Sequence, residues 1–227
     1  PKFTINGQPW KHTQDTTLLA PNSLYLEKEV HEGRLDAALA FAKANKINKI
    51  TVPTRDAWLG IISAGKTYYD VRQALTDIGL TDDDLERHGI RLLKLGMIFP
   101  IEPGILKEFA TDLEEILVIE EKRSFIEMFC KELLYGMADA PRIIGKKDEN
   151  GRKLVKADNE LDADDIVRIL AQRLEERVDI PMLDRRLSDI SMLPDLGVIP
   201  LLSRQPYFCS GCPHNSSTNL PDGSIAG

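Results

Sequence analysis

Short apolar runs alternate with amphipathic segments through the middle of this chain, and no other feature restricts its fold as much. Each run is apolar nearly throughout, as strands are when both faces of a sheet are covered. Strands and helices that alternate over short connections predict parallel βαβ units. The predicted strands cover residues 58–63, 90–95, 116–119 and 141–145, and the main helices between them cover residues 66–78, 103–113 and 124–137. We therefore predict an α/β domain with a three-layer, mostly parallel sheet over residues 47–146.

The rest of the chain provides helical extensions to this domain. The predicted parts are a linker and helix over residues 1–46, a helical connector over residues 147–193 with helices at 162–178 and 181–190, and a loop-rich segment over residues 194–227. Within the first part, residues 1–22 lack an apolar period and predict an extended arm. The helix that follows is expected over residues 23–45.

Composition excludes several classes of partner. The formal net charge of -7 argues against nucleic acid and against an anionic membrane surface. The apolar runs are too short to span a bilayer, so no membrane association is expected. Three cysteines are an odd number and poor material for a disulfide framework, which favours a reducing, cytoplasmic setting.

Residues 60–67 (GIISAGKT) match the phosphate-binding pattern G-x-x-x-x-G-K-T letter for letter. A phosphate-binding loop needs flexible residues after its first glycine, so that backbone N–H groups curl around the phosphate. Here Ile61 and Ile62 occupy those positions and belong to the predicted strand. We therefore interpret the match as a strand that turns into a helix at Gly65. A P-loop nucleotide hydrolase stays the alternative, since a helix N-terminus can still bind an anion.

Four charged residues follow the predicted strand at residues 116–119: Glu120, Glu121, Lys122 and Arg123. Open α/β sheets bind ligands at the carboxyl ends of their strands, so this position is a candidate site. In a nucleotide hydrolase, an acidic residue here would hold magnesium. The preferred interpretation is solvated loop charge, or a salt bridge to a neighbouring domain.

Near the end of the chain, Cys209 and Cys212 form a C-x-x-C pair that is bent by a glycine. As a redox dithiol, the pair should open a helix after a strand, whereas its surroundings predict a loop. As structural zinc ligands, the two thiols could recruit His214, with Asp222 or His88 as a fourth ligand at untypical spacing. As part of an iron–sulfur site, they need two further cysteines. The third cysteine, Cys130, is expected on the core face of a helix.

Five stretches resemble one protein family in the same order along the chain: residues 34–50, 59–75, 89–103, 114–136 and, most specifically, 204–224 (RQPYFCSGCPHNSSTNLPDGS). They are similar to the fused bacterial indolepyruvate:ferredoxin oxidoreductases, which belong to the 2-oxoacid:ferredoxin oxidoreductases. The resemblance implies that the α/β domain is like the transketolase C-terminal domain. It also implies that residues 194–227 open a thiamine-diphosphate domain.

The parent enzyme implied by this resemblance converts an aryl 2-oxoacid and CoA to acyl-CoA and CO2, with ferredoxin as electron acceptor. Its cofactors would be thiamine diphosphate with Mg and a 4Fe-4S cluster, and Cys209 and Cys212 would supply two ligands of the cluster nearest thiamine. The family's catalytic glutamate and Gly-Asp-Gly motif would lie outside this chain, so the chain is expected to be an internal, inactive fragment that binds no cofactor alone. It would pack against neighbouring domains of the same protein. A non-enzymatic α/β docking module with a zinc loop is a further alternative.

Overall fold

The computed structural model describes residues 4–5, 7–12, 15–175, 177–180, 182–192 and 207–224. These residues fall into two compact units, which divide between Ser191 and Met192. In the part of the chain that is described, no helix has both the length and the apolar character needed to cross a bilayer.

The first unit opens with two short strands, β1 (Thr4–Ile5) and β2 (Gln8–Pro9), which pair antiparallel. Helix α1 (Asn22–Glu29) continues through one π-helical stretch (Val30–Arg34) into α2 (Leu35–Ala44). The helix predicted over residues 23–45 is therefore confirmed. The extended arm expected before it is wrong in part, because two segments of it pair as strands.

The predicted strands become neighbours in a five-stranded sheet of order β3-β5-β4-β6-β7. The strands are β3 (Lys49–Val52), β4 (Leu59–Ala64), β5 (Ile90–Leu95), β6 (Glu115–Val118) and β7 (Arg142–Ile144). The pairs β4–β5, β4–β6 and β6–β7 are parallel, whereas β3 runs antiparallel to β5 at one edge. The α/β class with a mostly parallel sheet is thus confirmed.

Helices of the first unit begin and end close to the predicted positions. They are α3 (Gly65–Asp77), α4 (Asp82–Arg87), α5 (Pro103–Ala110), α6 (Ile126–Leu134), α7 (Ala163–Leu174) and α8 (Leu183–Met192). Reciprocal hydrogen bonds between a side chain and the backbone fix two of the starts. Thr81 and Asp162 each form a capping box, with Asp84 and Asp165 as the respective partners.

Two apolar clusters cover the two faces of the sheet. Along β4, Leu59 and Ile61 belong to the cluster that includes α3, α7 and α8, whereas Ile62 belongs to the cluster that includes α5 and α6. This alternation follows from the period of two along a strand, even though the sequence of β4 is apolar throughout. The predicted connector helices α7 and α8 therefore share a core with the sheet.

Gly60 lies in the middle of β4, where the P-loop interpretation required the start of a flexible loop. Ile61 and Ile62 are 1% and 0% exposed, so the match to the phosphate-binding pattern begins inside a buried strand, as predicted. A side chain at Gly60 would collide with two neighbours. A Cβ atom there would lie 2.5 Å from Leu113 Cδ1 and 2.6 Å from Phe109 Cζ.

Replacement of Gly60 by Val should therefore destabilise the fold. We expect Gly60→Val to lower the free energy of unfolding by up to about 3 kcal/mol, because the core at Phe109 and Leu113 becomes overpacked. Urea denaturation followed by circular dichroism measures this change. Strand propensity alone would favour Val over Gly. An unchanged or raised midpoint of urea denaturation would therefore contradict the close packing of Gly60 against Phe109 and Leu113.

Candidate functional site

The carboxyl end of β6 holds a buried carboxylate. Glu120, 7% exposed, accepts hydrogen bonds from the backbone N–H groups of Phe125, Ile126 and Glu127 over distances of 2.8–3.1 Å. These N–H groups belong to the first turn of α6, which lacks partners within the helix. Glu120 therefore satisfies the start of α6 and places a negative charge at the positive end of the helix dipole.

Glu127 and Lys146 continue this network toward β7. The Glu127 carboxylate accepts from Lys131 Nζ at 2.5 Å and from the backbone N–H of Lys146 at 3.0 Å. Lys146 Nζ in turn donates to the backbone carbonyls of Glu120 and Lys156. Burial lowers the pKa of the Lys146 amine, and the nearby Glu120 and Glu127 carboxylates oppose that shift. Every charged group in this network already has a protein partner.

The neighbouring loop contacts the connector through its backbone. Glu121 Oε1 accepts from the N–H of Leu161 at 3.3 Å, and Lys122 Nζ donates to the carbonyl of Asn159 at 2.6 Å. A salt bridge from these charges to a neighbouring domain stays a prediction, because both contacts of Glu121 and Lys122 lie within the first unit. Their partners are backbone groups of the same unit. Arg123 is exposed.

Lys66 and Thr67, the last two residues of the G-x-x-x-x-G-K-T match, lie in the first turn of α3. Lys66 Nζ lies 2.9 Å from Asp70 Oδ2 and 3.0 Å from Glu160 Oε1. Hydrogen bonds to these two carboxylates, that of Asp70 being the stronger, raise the pKa of Lys66. The lysine that would hold phosphate in a nucleotide hydrolase is thus neutralised by two acids, and Thr67 is buried.

The C-x-x-C pair lies in the second unit, in a tight turn. Cys212 N–H donates to the Cys209 carbonyl at 3.0 Å, and Gly211 adopts the left-handed conformation that the turn requires, with φ +82°. Asn215 Nδ2 donates to the same carbonyl at 3.0 Å. The helix α9 (His214–Ser217) begins directly afterwards. The predicted loop is confirmed for residues 207–213, whereas it is wrong for residues 214–217, which form this short helix.

His214 lies next to one of the two thiols. Cys212 Sγ and His214 Nδ1 are 3.2 Å apart, and the imidazole stacks on Phe208 at 5.1 Å between ring centroids. Cys209 is exposed and Cys212 is partly buried. Two accessible thiols on one turn fit two positions of a tetrahedral metal or cluster site.

The described residues do not complete such a site. No group of three or more His, Cys, Asp or Glu side chains among them is arranged to hold a metal ion. Asp222 therefore does not join the pair within the second unit, and His88 belongs to the first unit. Residues 204–206, which begin the most specific stretch of the family resemblance, lie outside the described residues. The assignment of Cys209 and Cys212 as metal ligands stays a prediction.

Sequence reasoning missed the role of Glu120 as the residue that satisfies the start of α6. The signal in the sequence was the position of Glu120, five residues before Phe125. The backbone N–H of Phe125 is the first of the donors to the Glu120 carboxylate. Helix caps are usually sought immediately before the first helical residue. Because Glu120 reaches α6 across a loop, only the folded chain reveals this contact.

Loss of the Glu120 charge should weaken the start of α6. We expect Glu120→Gln to lower the free energy of unfolding by about 2 kcal/mol, because hydrogen bonds to a charged acceptor contribute about 1.5–3 kcal/mol. The matched control is Glu121→Gln, which alters one 3.3 Å hydrogen bond and should change stability by less than about 0.5 kcal/mol. Equal effects of the two substitutions, measured by urea denaturation, would refute the assignment.

The three thiols should differ in reactivity. Cys130 is 0% exposed in α6, and burial raises the pKa of its thiol from 9.0 to about 12, with a further contribution from Glu120 and Glu127. Because the thiolate is the nucleophile, iodoacetamide at pH 8 should modify Cys209 and Cys212 in the native chain. All three cysteines should react in urea. Intact-mass spectrometry counts the adducts, and a third adduct on the native protein would contradict the burial of Cys130.

Comparisons with known proteins relate both the sheet and the connector to indolepyruvate oxidoreductases. Residues 49–193 match a family model described as "Indolepyruvate oxidoreductase domain". The indolepyruvate oxidoreductase subunit IorA of Thermococcus kodakarensis is 29% identical over 164 residues, which are 71% of this chain and 22% of that relative. The IorA subunit of Archaeoglobus fulgidus is 20% identical over 224 residues, or 96% of this chain and 31% of that relative.

Among solved structures, a 2-oxoglutarate:ferredoxin oxidoreductase from Magnetococcus marinus matches with a TM-score of 0.45 and 15% identity, over 78% of this chain and 26% of that one. A split-gene transketolase matches with a TM-score of 0.38 and 15% identity, over 58% of this chain and 42% of that one.

The chain spans between a fifth and a third of the curated relatives named above. The family model, in contrast, covers more than half of the chain and includes β3 to β7 together with α7 and α8. This chain belongs to the indolepyruvate oxidoreductase domain family.

Proposed function

We propose that this chain is the α/β domain of an indolepyruvate:ferredoxin oxidoreductase. The parent enzyme would convert an aryl 2-oxoacid and CoA to acyl-CoA and CO2 and deliver the electrons to ferredoxin. The observation that carries the proposal is the family match over residues 49–193, which coincides with the sheet and with the connector helices that share its core. We further propose a cytoplasmic enzyme, since all three cysteines are free thiols.

Within that enzyme, the role of the domain is architectural. Its charged groups at the carboxyl ends of β6 and β7 hold helix starts and loops, as illustrated by Glu120, Glu127 and Lys146. These three side chains at this edge of the sheet therefore already have protein partners. Thiamine diphosphate would supply carbanion chemistry in the parent enzyme, and we propose that the described residues do not hold it.

Cys209 and Cys212 would provide two of the four thiolates of a 4Fe-4S cluster, which supplies one-electron transfer toward ferredoxin. Their accessible turn fits two ligand positions. The third cysteine of the chain does not fit, because Cys130 is buried in the core of the first unit. The remaining ligands would therefore come from other parts of the parent protein.

Cluster content of the full-length parent enzyme tests this ligand assignment. After anaerobic reconstitution, a Cys209→Ser/Cys212→Ser variant should contain one 4Fe-4S cluster fewer than the unaltered enzyme. Iron analysis and electron paramagnetic resonance measure the difference. The matched control is Cys130→Ala, which removes a buried thiol and should leave the cluster count unchanged. An unchanged count in the double variant would eliminate the assignment.

A zinc-binding docking module is the second candidate, because the 3.2 Å contact between Cys212 and His214 could form part of a zinc site. Under the main proposal, the 227-residue chain alone should show no turnover with indolepyruvate, CoA and ferredoxin. It should hold zinc only weakly, since two thiols and one imidazole leave a ligand position open. One equivalent of zinc that resists a chelator would support the docking module, and turnover by the chain alone would refute the architectural role.

A further inference from the structure

His214 contacts one of the two thiols, although the proposed cluster assignment gives it no role. Its Nδ1 lies 3.2 Å from Cys212 Sγ. The histidine follows the cysteine by two residues, directly after the turn that carries both thiols. What the nitrogen does in the parent enzyme depends on whether it binds the same metal as the sulfur or donates a hydrogen to it.

Local contacts hold the imidazole in this position. The ring stacks on Phe208, with 5.1 Å between the centroids and 27° between the ring planes. His214 is also the first residue of α9. The turn before it is fixed by two hydrogen bonds to the Cys209 carbonyl, from the N–H of Cys212 and from Asn215 Nδ2, each at 3.0 Å. The direction of Nδ1 toward Cys212 Sγ therefore follows from the arrangement of the turn.

The distance between the two atoms favours a hydrogen bond over joint ligation of one metal. Sulfur and nitrogen ligands of a tetrahedral zinc ion lie about 2.3 and about 2.0–2.1 Å from the metal, which separates the two ligand atoms by about 3.6 Å. Cys212 Sγ and His214 Nδ1 are closer together than this. A 4Fe-4S cluster that is held by four cysteines leaves no ligand position for an imidazole. The contact therefore fits a hydrogen bond.

The chemistry of the sulfur fixes the direction of this hydrogen bond. A cysteine that binds a metal or cluster is a thiolate and carries no hydrogen. Cys212 Sγ is then an acceptor only, so the hydrogen must be on His214 Nδ1. A thiol that donates to the ring nitrogen is possible only in the chain without a cluster.

A hydrogen bond to a ligand sulfur affects the two oxidation states of a cluster unequally. Reduction adds negative charge to the cluster and its sulfur ligands, so the donor stabilises the reduced state more than the oxidised state. Hydrogen bonds to the sulfurs are among the factors that set the reduction potential of iron–sulfur clusters. A residue that binds no iron can therefore tune the cluster through one of its ligands.

From these contacts we infer that His214 acts through Cys212 and raises the reduction potential of the cluster bound at Cys209 and Cys212. Its Nδ1–H donates to Cys212 Sγ, and stacking on Phe208 keeps the ring in place. This inference rests on the proposed function, since it requires the two cysteines to bind a cluster. It adds a residue that binds no iron and still affects electron transfer to ferredoxin.

Two substitutions in the full-length parent enzyme separate the donor from the ring. His214→Phe keeps an aromatic ring to stack on Phe208 and removes the donor, whereas His214→Asn places an amide N–H close to the position of Nδ1. His214→Phe should make the equilibrium constant for reduction of this cluster about tenfold smaller, or about 59 mV for a one-electron couple. His214→Asn should restore most of the potential. Both variants should contain as many clusters as the unaltered enzyme.

Redox titration followed by electron paramagnetic resonance measures these potentials. The signal to follow is the one that disappears in the Cys209→Ser/Cys212→Ser variant, because that loss assigns the signal to this cluster. The matched control is His31→Gln, which removes an exposed histidine of the first unit and should leave the potential unchanged.

The possible outcomes separate the role of His214 from the ligand assignment. An unchanged potential in His214→Phe, or equal shifts in His214→Phe and His214→Asn, would overturn the inference while the ligand assignment stands. Loss of the cluster in His214→Phe would show that His214 is needed to bind iron, which also overturns it. If Cys209→Ser/Cys212→Ser retains every cluster, the proposed ligands are wrong and the role of His214 fails with them.

Discussion

The first unit depends on the burial of one strand, β4, on both faces and along both edges. It pairs with β5 on one side and β6 on the other, and its side chains enter both apolar clusters. Burial of each large aliphatic side chain contributes about 1.5–3 kcal/mol, so Leu59, Ile61 and Ile62 together favour the strand strongly. A loop over the same residues would lose this contribution. The glycine at the centre of β4 allows Phe109 and Leu113 to approach the sheet closely.

Charged side chains then attach the connector to this core. The Arg173 guanidinium in α7 donates from Nε and Nη2 to the two oxygens of Glu115 at 3.0 and 2.6 Å. Glu115 is 5% exposed at the start of β6. A buried carboxylate requires such a partner, because removal of an ion from water without compensation is costly. The contact fixes α7 against the sheet.

Several elements could be predicted because local chemistry and burial agree. The caps of α4 and α7 are examples, because Thr81 and Asp162 are residue types that are preferred at helix starts. The aliphatic side chains of Ile61 and Ile62 argued against a phosphate loop at the level of sequence, since an apolar run favours a buried strand. Strand β3 escaped prediction, because it lies at the edge of the sheet and pairs with β5 in an irregular register between Ile50 and Val52.

The sequence by itself determined the alternation of strands and helices, the caps, the acidic balance and the turn that presents Cys209 and Cys212. These properties depend on residues close together in the chain, where periodicity and turn chemistry are readable. Tertiary structure decided the strand order, the antiparallel edge and the position of the Glu120 carboxylate at the start of α6. Those features join segments that are distant in the chain, such as Leu59 and Glu115 in the pair β4–β6. Their geometry follows from packing across the sheet, which no local pattern encodes.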